Sequence, residues 1–398
     1  MEKHEVTRQI EYIHRLLAQN KKPIGFFLGA GCPLSIKVQK NSDGVSSCEP
    51  LIPGILELTK AIADVFSQTP ELSTKWTDLI NLLNDDGIET PNIEKILTLV
   101  RALKAVAGNG EVRGFRLSEL EKLDDKICNV ISELVNKELP YGQNSAYHDL
   151  AIWCRSIERD HAVNIFTTNY DLLLEQAFEE SGSPYFDGFV GSKKAFFDLG
   201  AVENDTSLPS RWTRLWKIHG SINWRLGSQQ SVIRSVAEDT ASNYLIFPSH
   251  LKYDQSRKMP YLAMLDRLQS FILKKSSVLF ICGYSFGDEH INEVISRSLQ
   301  SNATTMAFGF MYGGLNEDKY SNAEACARLT VNLSLIGGNG AVIGRKFGVW
   351  NFEKFDEQQY AEIVERDNAG TLSSVALGDF CKFAQMVSRI SEFYTHHE

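Results

Sequence analysis

The sequence predicts an α/β fold built on a mostly parallel sheet, and three observations predict it. Short apolar runs recur along the chain, at 24–28, 162–166, 215–218 and 278–283. Each has the length and content of a buried strand. Helix-length amphipathic segments alternate with them, as the crossovers between parallel strands require. Each run also ends in a short polar or glycine-containing motif. Ligands in open α/β sheets bind beyond the carboxyl ends of the strands, so the pattern predicts the place of a site as well as a fold.

The elements follow in order. Val6 to Leu17 is amphipathic and reads as an N-terminal helix. The first strand and its glycine loop come next. Lys37 to Pro53 is polar, with Asn41-Ser42-Asp43-Gly44 as a turn, and is expected to be a mobile loop over the site. Ile55 to Phe66 reads as a helix. Between 70 and 159 the character changes. Leu79, Leu83, Ile93, Ile96, Leu97 and Val100, then Leu120, Leu123, Ile127 and Ile131, keep helical spacing. This stretch reads as an inserted helical module, punctuated by Gly108-Asn109-Gly110 and Pro140-Tyr141-Gly142. Strand–helix alternation then resumes. Asp171 to Glu180, Met259 to Lys275 and Asp288 to Gln300 read as helices, and Asn243 to Phe247 and Thr304 to Met311 as further strands. Gly337-Gly338-Asn339-Gly340 reads as a turn between two strands, and Leu372 to Phe393 as a closing helix. The expected division is a core of 1–69 and 160–345, an insert of 70–159 and a C-terminal region of 346–398.

Composition limits the function. The chain has 398 residues, 43% of them hydrophobic, enough for a large core. It carries 41 basic and 50 acidic residues, a net charge of −9. A chain of that balance is not expected to bind nucleic acid strongly by itself. The 7 cysteines are scattered with no Cys-x-x-Cys pair, and the opening MEKHEVTRQIEY is polar. Both features fit a reducing cytoplasm and no secretory leader. No apolar stretch approaches the ~20 residues of a membrane helix. Gly344-Arg345-Lys346 lacks the Ser or Thr of a P-loop.

The motifs carry the chemistry. Gly29-Ala30-Gly31 follows the first strand. Without Cβ atoms, such a loop lets backbone N–H groups approach a diphosphate; alone, it could equally be a tight turn. Pro33 removes one donor from its continuation. Thr167-Thr168-Asn169-Tyr170-Asp171 follows the second run and His219-Gly220-Ser221 the third. An Asn amide can hold a hydroxyl and a water together, and a His of near-neutral pKa can take a proton. A single His after a strand would more often be a hydrogen-bonded core imidazole; the ordered set favours chemistry. Asp171 reads first as a helix cap and second as a ligand to a ribose or a nicotinamide amide. Asp288 reads as the cap of the next helix and His290 as a surface residue. Trp212, Trp216 and Trp224 read as core packing.

This order of motifs resembles the sirtuin family. A fourth motif, Ile281-Cys282-Gly283-Tyr284-Ser285-Phe286-Gly287-Asp288-Glu289-His290-Ile291-Asn292, looks like the late Gly-x-Ser loop of bacterial sirtuin-like NADases of antiphage defence. The resemblance covers roughly 22–54 and 160–310. It implies a Rossmann-like sheet of sirtuin type with NAD as substrate. By the same resemblance Gly29, Ala30, Gly31, Thr168, Asp171, Gly283 and Ser285 bind NAD, and Asn169 and His219 are catalytic. It further implies cleavage of NAD to nicotinamide and ADP-ribose, depleting NAD when infection is sensed. By the resemblance, members of this branch are often kept inactive until a partner or oligomer forms. A homo-oligomer is therefore expected, with a HerA-type hexameric ATPase or DNA translocase as the candidate partner. Two departures stand out. The paired Cys-x-x-Cys zinc module is absent, so no zinc is expected, and part of the cleft for an acylated peptide goes with it. The Pro-Asp-Phe-Arg pattern of the family's cofactor loop is also absent; Leu51-Ile52-Pro53-Gly54 is its nearest remnant. The alternatives are a protein deacylase or ADP-ribosyltransferase, and a non-catalytic nucleotide-binding scaffold.

Overall fold

The computed structural model describes residues 2–42, 45–156, 158–204, 206–226, 232–235, 244–246 and 260–395. Ten strands form its main sheet: β1 (Glu2–Glu5), β2 (Ile24–Leu28), β3 (Asn164–Thr167), β4 (Tyr185–Phe186), β5 (Thr213–Lys217), β6 (Val278–Cys282), β7 (Met306–Phe310), β8 (Leu333–Ile336), β9 (Gly340–Ile343) and β10 (Lys346–Asn351). Their order in space is β1-β10-β9-β8-β7-β6-β2-β3-β5-β4. Seven of the pairings are parallel, and the two antiparallel ones flank β9. The sheet is therefore Rossmann-like and mostly parallel. From β2 the chain moves outward on one side through β3 and β5. It then returns to place β6 on the other side. The strand order reverses at β2, where open α/β sheets have their crevice.

Helices cover both faces. β2 is buried throughout, and its side chains alternate between the two cores. Phe26 and Leu28 join one core, with Val6–Leu17 (α1) and Phe383 of the C-terminal helix; Phe27 joins the other, with Leu268 and Ile295. In the first core Phe26 meets Trp153 edge-on at 5.3 Å and Phe280 at 5.7 Å. Burial of each such ring stabilises the fold by roughly 2–3 kcal/mol.

Helices form where the spacing between 70 and 159 predicts them. α2 (Gly31–Ser35) leads through a hairpin to α3 (Ile55–Ser67), α4 (Pro70–Asp85), α5 (Ile93–Ala107) and α6 (Leu117–Val135). α3 packs on α4 and α6, and α5 packs on α4 and α6. Asp124 on α6 is held by Arg101 at 3.0 Å and Lys104 at 2.6 Å, both from α5. The next helix, α7 (Ala146–Ser156), packs against α8 (Leu173–Glu180) and the C-terminal helix Phe380–Thr395.

Several elements differ from expectation. The segment read as a mobile loop is a hairpin, Lys37–Ser42 against Val45–Pro50, in register from Lys37↔Pro50 to Ser42↔Val45. Its polarity hid it, because ladder hydrogen bonds require no apolar face. Asp43 and Gly44 of the expected turn lie outside the described residues. β1, with the sequence Glu-Lys-His-Glu, was hidden for the same reason; it pairs parallel with β10 at the sheet edge. The closing segment splits into a strand, Leu372–Val375, and a helix, Phe380–Thr395. Asp379 starts that helix by accepting the Cys381 N–H at 2.8 Å. The boundary drawn at 345/346 falls within the β9–β10 hairpin, so residues beyond it complete the main sheet. The strand expected at 243–247 is Tyr244–Ile246, and Asn243, Phe247 and Met259 lie outside the described residues.

A second, antiparallel sheet was not anticipated. Its strands lie in the order Tyr244–Ile246, Gly220–Leu226, Val232–Arg234, Ala195–Phe197 and Phe189–Val190. Its longest strand begins immediately after His219. Among the described residues no helix is long and apolar enough to cross a membrane.

Candidate active site

β6, β2, β3 and β5 are neighbours in the sheet. Their carboxyl ends lead in turn to Gly283, to Gly29–Gly31, to Asn169 and to His219. The topology thus brings all four motifs to one edge of the sheet.

The floor is made by two glycine loops in backbone contact. Gly29 donates its N–H to the Cys282 carbonyl at 2.9 Å, and Gly31 donates to the Gly283 carbonyl at 2.8 Å. A Cβ on Gly29 would lie 2.4 Å from the Gly283 oxygen, and one on Gly31 2.7 Å from the Gly283 Cα. Gly283 has φ +63°, and a Cβ there would lie 2.5 Å from the Cys32 nitrogen. The three glycines therefore interlock. This corrects the expectation that the Gly29 and Gly31 N–H groups face a diphosphate: both bond within the junction of the loops. Beneath it, Cys32 points its thiol at the Cys282 carbonyl, 3.4 Å away. Burial pushes both thiols well above their ordinary pKa, which leaves them unreactive.

Asn169 stands on a shelf built by Thr167. The Thr167 hydroxyl donates to the Leu28 carbonyl at 2.9 Å and accepts the Asn169 N–H at 3.0 Å. The Asn169 side-chain amide reaches across to the Gly29 carbonyl at 3.1 Å. Thr168 is half-buried beside it, its N–H directed to the Leu28 carbonyl at 3.3 Å. Asp171 is buried and accepts the Leu173 N–H at 3.1 Å. α8 starts at Leu173, so Asp171 closes a turn one residue ahead of the helix's N-cap position. Sequence reading missed its neighbour. Lys217, 2% exposed, bonds to the Asp171 carbonyl and to Glu175 at 2.8 Å. Burial pushes both carboxyls upward, against the pull of Lys217. A lysine in an apolar strand gave no sign of a partner 42 residues earlier on a helix.

His219 marks the passage from one sheet to the other. Ile218 continues the ladder by donating to the Thr167 carbonyl at 2.8 Å. Gly220, at φ +85°, turns the chain into the second sheet, and Ile222 donates to the Tyr170 carbonyl at 3.0 Å. The His219 and Asn169 loops are thus stitched together. The His219 ring is buried, with its centroid 6.4 Å from that of Tyr170. Its Nε2 lies 3.3 Å from Oδ2 of Asp288. The other Asp288 oxygen accepts the N–H groups of His290 at 3.0 Å and Ile291 at 3.3 Å, capping the helix Glu289–Ser301. The cap was legible in the sequence; the pairing with His219 was not.

The loop between Gly283 and Asp288 is held firmly. Tyr284 donates to Asn292 at 2.9 Å, and Asn292 donates to the Phe286 carbonyl at 2.7 Å. Phe286 takes φ +60° with its ring buried, a conformation that costs a non-glycine residue about 1–3 kcal/mol. Ser285 is exposed at the rim. The insert also borders the site, since Glu94 and Arg101 of α5 act electrostatically on both Tyr170 and Tyr261. His290 is exposed, and Trp216 and Trp224 are core residues. Among the described residues no cluster of His, Cys, Asp and Glu is placed to hold a metal ion.

Comparison with known proteins adds a partial likeness. No curated protein matches the sequence. A solved structure reported as "Structural Basis for the Mechanism and Regulation of Sir2 Enzymes" aligns over 82% of this chain and 90% of that one, with 11% identity and a TM-score of 0.37. The profile of the SIR2-like domain matches residues 163–330, a stretch that holds Asn169, His219, Gly283 and Ser285. The first glycine loop lies outside the match and joins it through the pairing of β2 with β3 and β6. Residues 163–330 of this chain are thus similar to the SIR2-like domain.

Proposed function

We propose that this chain is an NAD hydrolase that cleaves the nicotinamide–ribose bond. One observation carries the reading: two interlocked glycine loops, Asn169 and His219 meet at the carboxyl ends of four adjacent parallel strands. Breaking the bond from C1′ to the nicotinamide nitrogen sends its electron pair into the ring and leaves neutral nicotinamide. Positive charge develops on the ribose, so little acid assistance is needed. Asn169, oriented by its bond to Gly29, holds a ribose hydroxyl and the attacking water. The water oxygen bonds C1′, its proton passes to His219, and His219 returns that proton to solvent. The products are nicotinamide, ADP-ribose and one proton. Thr168, Asp171, Gly283 and Ser285 lie on the loops that would surround the dinucleotide.

The cellular role we propose is depletion of NAD in antiphage defence, following the likeness of the 281–292 motif. We further propose that activity depends on self-assembly or on a HerA-type ATPase, with contacts supplied by the insert and the C-terminal region. With a net charge of −9, the chain would meet DNA through such a partner. The test incubates purified protein with NAD, alone and with the candidate ATPase, and separates the products. Nicotinamide and ADP-ribose in equal amounts, without any peptide, are expected. O-acetyl-ADP-ribose formed only with an acetylated peptide would replace this reading with a deacylase. Intact NAD under every condition would leave a nucleotide-binding scaffold.

A further inference from the structure

We infer that Asp288 is a positioning residue for His219, fixing the orientation and charge of the imidazole. The inference takes the proton-accepting role of His219 from the hydrolase reading; the pairing itself rests on geometry. Both side chains are nearly buried, His219 at 5% and Asp288 at 7% exposure. Their contact, Nε2 to Oδ2, is 3.3 Å. In such surroundings a carboxylate beside an imidazole interacts far more strongly than it would in water.

Asp288 is also immobilised in a way a surface carboxylate is not. Its Oδ1 receives two backbone N–H groups at the start of a 13-residue helix. With that oxygen pinned, the direction of Oδ2 is set by the helix. A carboxylate so held orients an imidazole and stabilises the imidazolium that forms when the ring takes a proton. In this step no proton passes to Asp288; it moves from water to His219 and then to solvent.

Among the described residues, three phenols lie around the pair. Tyr170 faces the His219 ring. Tyr261, from the helix Tyr261–Leu273, lies within electrostatic reach of Asp288. Tyr284 donates to the Asp288 carbonyl at 3.1 Å. Burial pushes all three phenols well above their ordinary pKa. Glu94 and Arg101 act on Tyr261 from the insert. Asp288 is thus a carboxylate in direct contact with the imidazole. It also ties the last nucleotide loop to the His219 turn.

Cap and orienting role share one residue, and substitution separates them. Asp288→Asn keeps an oxygen for the cap but turns an amide toward Nε2. Asp288→Ser keeps the cap and removes the charge. Both variants are expected to unfold close to the wild-type midpoint. With NAD, kcat should fall about a hundredfold or more while KM stays near wild type. In 15N-His-labelled protein, with His219→Gln identifying the signal, the His219 ring should titrate at lower pH in both variants than in wild type. Wild-type kcat in the folded variants would overturn the inference, as would an unchanged His219 titration. If the wild-type protein leaves NAD intact, the hydrolase reading falls and the titration alone decides the pairing.

Discussion

The side-chain amide of Asn169 donates to the backbone carbonyl of Gly29 at 3.1 Å. The bond joins the ends of two adjacent strands, β3 and β2. It fixes the rotation of the Asn amide, so Oδ1, an acceptor suited to a hydroxyl or water, takes a set direction. In the proposed hydrolysis the glycine loop would therefore contribute by orienting Asn169, even though its own N–H groups bond within the loop junction.

The first prediction concerns this amide and the His opposite. Asn169→Ala removes one hydrogen bond and should lower stability by about 0.5–1.5 kcal/mol. His219→Ala should lower NAD cleavage by about 10²–10⁴-fold. Asn169→Ala is expected to reduce kcat as severely, because water and ribose lose their common anchor. Denaturant unfolding and initial rates on the same samples check both. Wild-type turnover in a folded His219→Ala protein would remove His219 from the mechanism.

A second prediction follows from the floor. Gly283→Ala places a methyl group 2.5 Å from the Cys32 nitrogen at a φ of +63°. Neither backbone can retreat without disturbing a strand end. We expect a loss of at least about 1–3 kcal/mol from the conformation alone, and the close approach adds to it. Urea unfolding measures this. Gly344→Ala, at φ +56° with open space around it, is the control and should cost less.

The third prediction is a pH dependence in the insert. Burial tends to raise the Asp124 carboxyl, but Arg101 and Lys104 beside it prevail and hold it below its ordinary 3.8. A folded pKa below the unfolded one stabilises the protein above the unfolded value. That stability is lost as pH falls through the folded value. Asp124→Asn should therefore cost about 3 kcal/mol at pH 7, since it leaves two cations beside an uncharged group. The difference from wild type should shrink steadily below pH 4. A gap independent of pH would show that the ion pairs contribute nothing.

Much of the arrangement of the candidate site was legible because the motifs followed strands. Apolar runs located β2, β3, β5 and β6, and the motifs after them fell together once the strands paired. The Asp288 cap was legible too, since its signal is local: a carboxylate ahead of an amphipathic helix. What escaped was long-range or polar. Gly29 and Gly31 looked like phosphate donors because nothing near them in sequence reveals that Gly283 packs against them. Lys217 and Glu175 showed no partnership for the same reason. β1 and the 37–50 hairpin carry no apolar alternation, and their pairing depends on backbone bonds that any side chains permit. Four of the second sheet's five strands have three residues or fewer, too short for periodicity to register, and of these only Tyr244–Ile246 was read from the sequence.

The interlocked glycines also bear on how such a protein can change over generations. A floor of bare backbone offers no side chain through which preference for one ligand over another can drift. Any single replacement among Gly29, Gly31 and Gly283 meets the opposite loop, so one mutation cannot be followed by a tolerant second. Variation is channelled to the rim, to Ser285 and to the residues of the insert that border Tyr170 and Tyr261. New specificities on this scaffold should arise there while the floor stays as it is.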